Sequence, residues 1–199
     1  MKKSLLLASV ACLFAVNAQA ADIAPYVSAK AKFAGIKAER KQTSPFPDKA
    51  KLSDSVFGYN LAAGAGIKME EGVLRLELEY AQNDDAEKTI AGEKAKFESY
   101  AVFANAYFDF NTNSAFRPYV GIGFGGSKVK FGNKSENEFA YNYNVGVSYL
   151  MNDNAALDLG YRFASYANFE EEITGPGTYQ KIEYKAHANE IMLGVRFSF

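Results

Sequence analysis

Val73-Leu74-Arg75-Leu76-Glu77-Leu78-Glu79-Tyr80-Ala81-Gln82 is the stretch that decides the fold class. Leu74, Leu76, Leu78 and Tyr80 recur at every second position, with Arg75, Glu77 and Glu79 between them. Successive side chains of a strand point to opposite faces, whereas a helix would spread these leucines around its cylinder. The segment is therefore a strand with one apolar and one charged face.

The same period runs outward in both directions. Tyr26 to Phe33 sets Val27, Ala29, Ala31 and Phe33 against Ser28, Lys30 and Lys32, and Val56 to Lys68 sets Phe57, Tyr59, Leu61 and Ile67 against Gly58, Asn60, Gly64, Gly66 and Lys68. Glu98 to Phe110, Phe116 to Gly125, Phe139 to Leu150, Ala155 to Phe163 and Ala188 to Phe199 alternate likewise. The count is about eight, each near the roughly 9 to 11 residues of a tilted membrane strand.

Connections alternate in length. Met69 to Gly72, Asn111 to Ser114 and Asn152 to Asn154 are short and rich in turn formers, whereas Gly35 to Ser55, Asn83 to Phe97, Gly126 to Glu138 and Ala164 to Lys185 are long and polar. Short turns at one end and long connections at the other are the pattern of an outer-membrane barrel. The expected fold is all-β: a single antiparallel up-and-down transmembrane β-barrel of about eight strands, with short periplasmic turns and long extracellular loops.

Alternation alone would also suit a soluble barrel with its apolar face inward. Two features favour lipid outside. Gly58, Gly64, Gly66, Gly121, Gly123, Gly125, Gly146, Gly160 and Gly194 lie on or beside the polar face. Glycine wastes a solvent-facing strand position but makes room inside a narrow lumen. Aromatic residues cluster near strand ends, among them Phe57, Tyr59, Tyr100, Phe108, Phe110, Phe116, Tyr149, Phe163 and Phe199, as girdles at two membrane interfaces would require.

Met1-Lys2-Lys3 followed by the apolar run Ser4 to Val16 and by Ala18-Gln19-Ala20 reads as a signal peptide, too short for a membrane helix. Cleavage between Ala20 and Ala21 is expected, giving a signal peptide over 1–20 and one barrel domain over 21–199. Cys12 lacks a lipobox leucine, since Ser9 stands in that place. The region after Ala20 contains no cysteine, so disulfides and thiolate metal sites play no part there. Net charge is −1 with both signs interspersed, which gives no basic stripe for nucleic acid.

Phe116-Arg117-Pro118-Tyr119-Val120-Gly121-Ile122-Gly123-Phe124-Gly125-Gly126 and the ending Ile191-Met192-Leu193-Gly194-Val195-Arg196-Phe197-Ser198-Phe199 resemble the small outer-membrane barrels of the opacity-protein and OmpX-like kind, the porin-family group. The resemblance covers nearly the whole chain after the signal peptide. It implies an outer-membrane location in a Gram-negative bacterium, monomeric and surrounded by outer-membrane lipid. It further implies that Val195, Phe197 and Phe199 are read by the barrel assembly machinery, and that function resides in loops contacting a host or envelope ligand.

The chemistry is sparse. Gly121, Gly123 and Gly126 match a dinucleotide fingerprint in spacing, but that motif needs a helix to follow it. Ser127-Lys128-Val129-Lys130 leads into a loop instead. His187 is the sole histidine, with Glu190 near it and no local serine motif. It would need a serine from another strand to serve a lipid hydrolase, and one histidine is a poor metal site. No cofactor is expected.

Lys30, Lys32, Lys68, Arg75, Arg162 and Arg196 should face Glu77, Glu79, Asp109, Asp158 and Glu190 across the lumen. Unpaired buried charge is costly, so a paired network filling the interior is expected, with Arg75 holding Glu77 and Glu79. The expected role is that of a non-enzymatic surface barrel whose loops serve adhesion, interaction or envelope integrity. A narrow porin-like channel selected by Arg75, Glu77 and Glu79 is the alternative, and an outer-membrane lipid hydrolase the third reading. Charges in the long connections, Lys37, Arg40, Lys41, Asp48, Lys49 and Lys51 in one and Glu170, Glu171 and Glu172 in another, suit either solvation or ionic contact with lipopolysaccharide.

Overall fold

The computed structural model describes residues 23–42, 48–90, 93–131, 134–175 and 178–199. The segment read as a signal peptide, with Cys12 and the Ala20–Ala21 junction, lies outside them. Eight strands follow in order: β1 (Ile23–Gln42), β2 (Asp48–Lys68), β3 (Gly72–Ile90), β4 (Glu93–Phe110), β5 (Phe116–Phe131), β6 (Lys134–Leu150), β7 (Ala155–Gly175) and β8 (Thr178–Ser198). Each pairs antiparallel with its neighbour in sequence, and β8 returns to β1 to close the barrel.

Three tight turns gather at one end. Met69 N–H donates to the Gly72 carbonyl at 2.8 Å, Leu150 N–H to Ala115 at 2.8 Å and Met151 N–H to Ala155 at 2.9 Å. Above them the outer face carries the alternating apolar residues read from the sequence, including Leu61, Leu76, Val120, Ile122, Val145, Leu159 and Leu193, all exposed. Aromatic pairs mark both margins of this belt. Phe108–Phe110 and Phe116–Tyr149, each at 5.0 Å, lie toward the turns, and Phe33–Phe57 at 5.2 Å and Phe124–Phe139 at 6.4 Å lie at the far side.

The connections expected to be long loops are strand over most of their length. β1 and β2 stay in register from Ile23↔Ile67 to Gln42↔Asp48, and β7 and β8 reach Gly175↔Thr178. What changes along them is the sense of the alternation. Past Phe33, Phe57 and Phe139, outward positions become polar: Lys37, Ser53, Ser55, Asp84, Asn137 and Lys185 are exposed. Inward positions become mostly apolar, with Asn83 and Ser127 as buried polar exceptions, and Ala34, Ile36, Val56, Ala81, Ala101, Phe103, Ala140, Ala164, Tyr166 and Ala188 form one buried cluster.

Four hairpins thus continue as strand beyond the apolar belt, with polar exteriors and a mostly apolar interior among the described side chains. Their inward residues are mostly alanines, too weak a signal to set a period, and so the stretches resembled loops. Two bulges add to the disguise, between Asn83 and Ala86 where β3 meets β4 and between Ser165 and Ala167 where β7 meets β8, since each extra residue interrupts the alternation.

Candidate functional site

The lumen inside the belt is filled by charge. Lys30, Lys32, Arg75, Arg162 and Arg196 are buried there with Glu77, Glu79, Asp109, Asp158 and Glu190, so that the two signs balance among the described residues. Opposite every inward side chain lies another strand, and in a closed barrel of eight strands the interior is narrow enough for them to meet.

The network is layered along the barrel axis. Nearest the turns, Arg75 Nε donates to Asp109 Oδ1 at 2.9 Å, and Arg196 reaches the other oxygen of Asp109 at 3.4 Å, Ser148 Oγ at 3.1 Å and Asp158 at 3.4 Å. Ser148 completes that layer by donating to Asp158 at 2.6 Å. In the next, Glu77 accepts from Tyr26 at 2.9 Å, Asn105 at 3.3 Å and Lys30 at 3.4 Å.

Higher still, Arg162 grips Glu79 with both terminal nitrogens, at 2.7 and 2.8 Å, while its Nε donates to Asn144 at 2.8 Å. Asn144 donates to Asn142 at 2.6 Å and Asn142 to Asn105 at 3.1 Å, which ties this layer to the one below. Lys32 donates to Glu190 at 3.4 Å, and Tyr166 donates to the same carboxylate. Phe103, 6.3 Å from Tyr166, begins the apolar interior of the hairpins.

Lys68, expected in this network, is exposed at the turn end. It sits at the last residue of β2, where the strand emerges into solvent. Arg75 was expected to hold Glu77 and Glu79, and it holds Asp109 instead. The β3–β4 hairpin sets Arg75 opposite Tyr107, so Asp109 is its diagonal neighbour on β4. Glu77 and Glu79 lie farther up β3 and take Lys30 and Arg162 as partners.

Aromatic side chains inside the lumen escaped the sequence reading. The Arg75 guanidinium is 4.6 Å from the Tyr107 ring centre, 5.2 Å from Tyr119 and 5.9 Å from Tyr26, and Lys30 lies 5.3 Å from Tyr107. Such faces attract cations, most strongly where water is excluded. Their inward parity was visible in the sequence, since Tyr107 falls between Ala106 and Phe108. The lumen glycines make room for these groups: a Cβ at Gly121 would strike Tyr107, one at Gly123 would strike Asn105 and Asn142, and one at Gly194 would strike Lys30.

The remaining motifs resolve simply. Gly121 to Gly126 lie within β5, which continues as strand to Phe131 with no helix after the glycines. His187 pairs in register with Ser165 across β7 and β8, and its ring lies 5.9 Å from Phe163. Among the described residues no hydrogen bond joins His187 to a serine or carboxylate, and Glu190 is turned into the lumen toward Lys32. No cluster of His, Cys, Asp and Glu suited to a metal occurs among the described residues.

The family description "outer membrane protein beta-barrel domain" matches residues 5–197, and the chain belongs to that family of outer-membrane proteins. It is 29% identical over 119 residues to the outer membrane protein PagN of Salmonella typhimurium, a match covering 48% of this chain and 47% of that protein. The chain thus spans about half the length of the curated relative it matches. Among solved structures it resembles Neisserial surface protein A, with 23% identity, 88% and 97% of the two chains covered and a TM-score of 0.56. OprG of Pseudomonas aeruginosa is similar in fold at 16% identity, 89% and 97% coverage and a TM-score of 0.57.

Proposed function

We propose that this chain is a non-enzymatic, non-conducting outer-membrane barrel whose four protruding hairpins form a surface for contact with host molecules or other envelope components. The observation that carries the reading is the lumen: a balanced, mutually paired set of buried charges capped by a mostly apolar buried layer. That filling leaves the work of the protein to its outer surfaces. The short turns face the periplasm and the hairpins face outward, the asymmetry usual in such barrels.

The apolar belt, flanked by its aromatic pairs, contacts outer-membrane lipid, and the barrel acts as a monomer. Residues 1–20 direct export and residues 21–199 form the barrel. Val195, Phe197 and Phe199, of which the two phenylalanines are exposed on the outer face, form the signal recognised during assembly. Catalysis at His187 is disfavoured because its neighbours supply no proton relay.

Single-channel recording of refolded protein in planar bilayers tests the proposal against its rival, a narrow channel. Folded barrels should stay silent. Steady, reproducible openings would overturn the reading and make the lumen charges a selectivity filter. With silence established, deletion of hairpin tips one at a time in a binding assay on whole cells should abolish contact while leaving the barrel folded.

A further inference from the structure

Gln82 of β3 stands at the centre of an outward-facing cluster of tyrosines. In register, Tyr59 of β2 lies directly opposite it on one side and Tyr100 of β4 on the other, and Tyr80 is the next outward residue down β3. Tyr59 and Tyr80 both donate their hydroxyls to Gln82 Oε1, each at 2.9 Å. The rings follow one another at 6.5 Å from Tyr59 to Tyr80 and 6.1 Å from Tyr80 to Tyr100, within the range of favourable aromatic contact. Tyr59 and Tyr100 remain exposed, at 42% and 40%.

A tyrosine that serves only as an interface anchor turns its hydroxyl to water. Here two hydroxyls are spent on one amide oxygen. That fixes the rings, and it leaves the Gln82 amide nitrogen with two donors and no acceptor among the described residues. Exposed ring faces beside unspent amide donors suit a group that is apolar on its face and polar at its edge. A pyranose ring has that chemistry: its C–H groups pack on an aromatic face while its hydroxyls bond the amide. The charged residues nearest in register are Asp84 and Asp85 in the β3 bulge, Glu98 of β4, and Lys128 and Lys130 of β5. That mixture of signs selects neither a cation nor an anion.

Height on the barrel decides which sugar can reach the cluster. Pairing of β2 with β3 ends at Gly58↔Asn83, one step above Tyr59↔Gln82, so the cluster lies at the foot of the fork where the hairpins part. Below it the outward rows continue as Leu61, Leu78, Val102 and Ala104, which belong to the apolar belt. A ligand seated here has its polar part on the tyrosines and its apolar part against the belt. We propose that the cluster of Tyr59, Tyr80, Gln82 and Tyr100 holds the neutral sugar headgroup of a glycolipid in the leaflet on the hairpin side. The inference deepens the surface-contact reading by naming one envelope partner, and it rests on the belt lying in lipid.

Reconstitution of refolded protein into phosphatidylcholine nanodiscs, with monoglucosyl diacylglycerol and phosphatidylglycerol as minor lipids, tests both. Folded barrel should enter the discs. Native mass spectrometry of barrels released from them should then show one glucolipid retained in preference to either phospholipid. The double variant Gln82→Leu, Tyr100→Leu, checked for folding by its heat-dependent gel mobility, should retain at least about tenfold less. Phe108→Leu, at the opposite margin, should retain as much as the parent. Failure to enter the discs would overturn the belt reading and this proposal with it. Entry without preference for the glucolipid, undiminished retention in the double variant, or an equal loss in Phe108→Leu would overturn this proposal alone.

Discussion

Arg162 of β7 and Glu79 of β3 clasp one another across the lumen through two parallel hydrogen bonds, at 2.7 and 2.8 Å, with both side chains wholly buried. Neighbours extend the clasp: Lys30 lies 3.6 Å from Glu79, and Glu190 lies 3.7 Å from Arg162. Strands that share no hydrogen-bonded edge are thereby tied together through the middle of the barrel.

Arg162→Met leaves Glu79 buried with Lys30, at 3.6 Å, as its remaining ion-pair partner. Breaking a buried pair from one side costs about 3–5 kcal/mol, whereas removing both charges costs far less. The single variant should therefore show a lower urea midpoint by far-ultraviolet circular dichroism, and Arg162→Met with Glu79→Leu should regain much of the loss. A double variant as unstable as the single one would contradict the pairing.

Arg75→Ala should be milder. Asp109 keeps Arg196 at 3.4 Å, so the carboxylate is weakened in its support rather than abandoned, and a loss of about 1–3 kcal/mol is expected. The same denaturation measurement ranks the two arginines, and a larger loss for Arg75→Ala than for Arg162→Met would refute the assignment of partners.

Ile36 is 5% exposed inside the β1–β2 hairpin, within the apolar cluster above the lumen charges. Ile36→Asp would place an unpaired carboxylate there. Limited proteolysis should then cut this hairpin in detergent while the heat-dependent gel mobility of the barrel persists. Cleavage no faster than in the parent protein would show that the hairpin interior does not hold it together.

The belt was legible because bilayer and lumen impose opposite demands on alternate residues, and Leu74 to Tyr80 answers them without exception. The hairpins were not, because beyond Phe33 and Phe57 the alternation continues with its meaning reversed and its apolar members reduced to residues such as Ala34 and Ala81. Membership of the lumen could be read from parity. Partnership could not: whether Arg75 meets Glu77 or Asp109 depends on the register of β3 with β4 and on side-chain reach. Lys68 has the right parity and fails only by its height on the strand.

Gly123→Val and Gly126→Val form a matched pair on β5. A Cβ at Gly123 would collide with the Asn105 and Asn142 amides, whereas the outward Gly126 has only the Glu138 carbonyl near it, at 3.9 Å. Overpacking of this kind costs about 1–3 kcal/mol, so the first variant should lower the urea midpoint and the second should leave it close to that of the parent. Equal effects would argue against a tightly filled lumen.

The expected processing site has a direct check. Amino-terminal sequencing of protein extracted from outer membranes should begin Ala21-Asp22-Ile23. A sequence starting at Met1, or an acylated Cys12, would overturn the assignment of residues 1–20.

The seam between β1 and β8 runs from Tyr26↔Ser198 to Gln42↔Ile182, almost the full length of β1. Its partners stand at opposite extremes of the described chain, so ring closure is the most non-local step of assembly and the slowest by topology. Until it happens, β1 and β8 each present a bare row of peptide groups, which hydrocarbon cannot satisfy. A partly inserted sheet therefore has no comfortable resting place, and insertion and closure must proceed together.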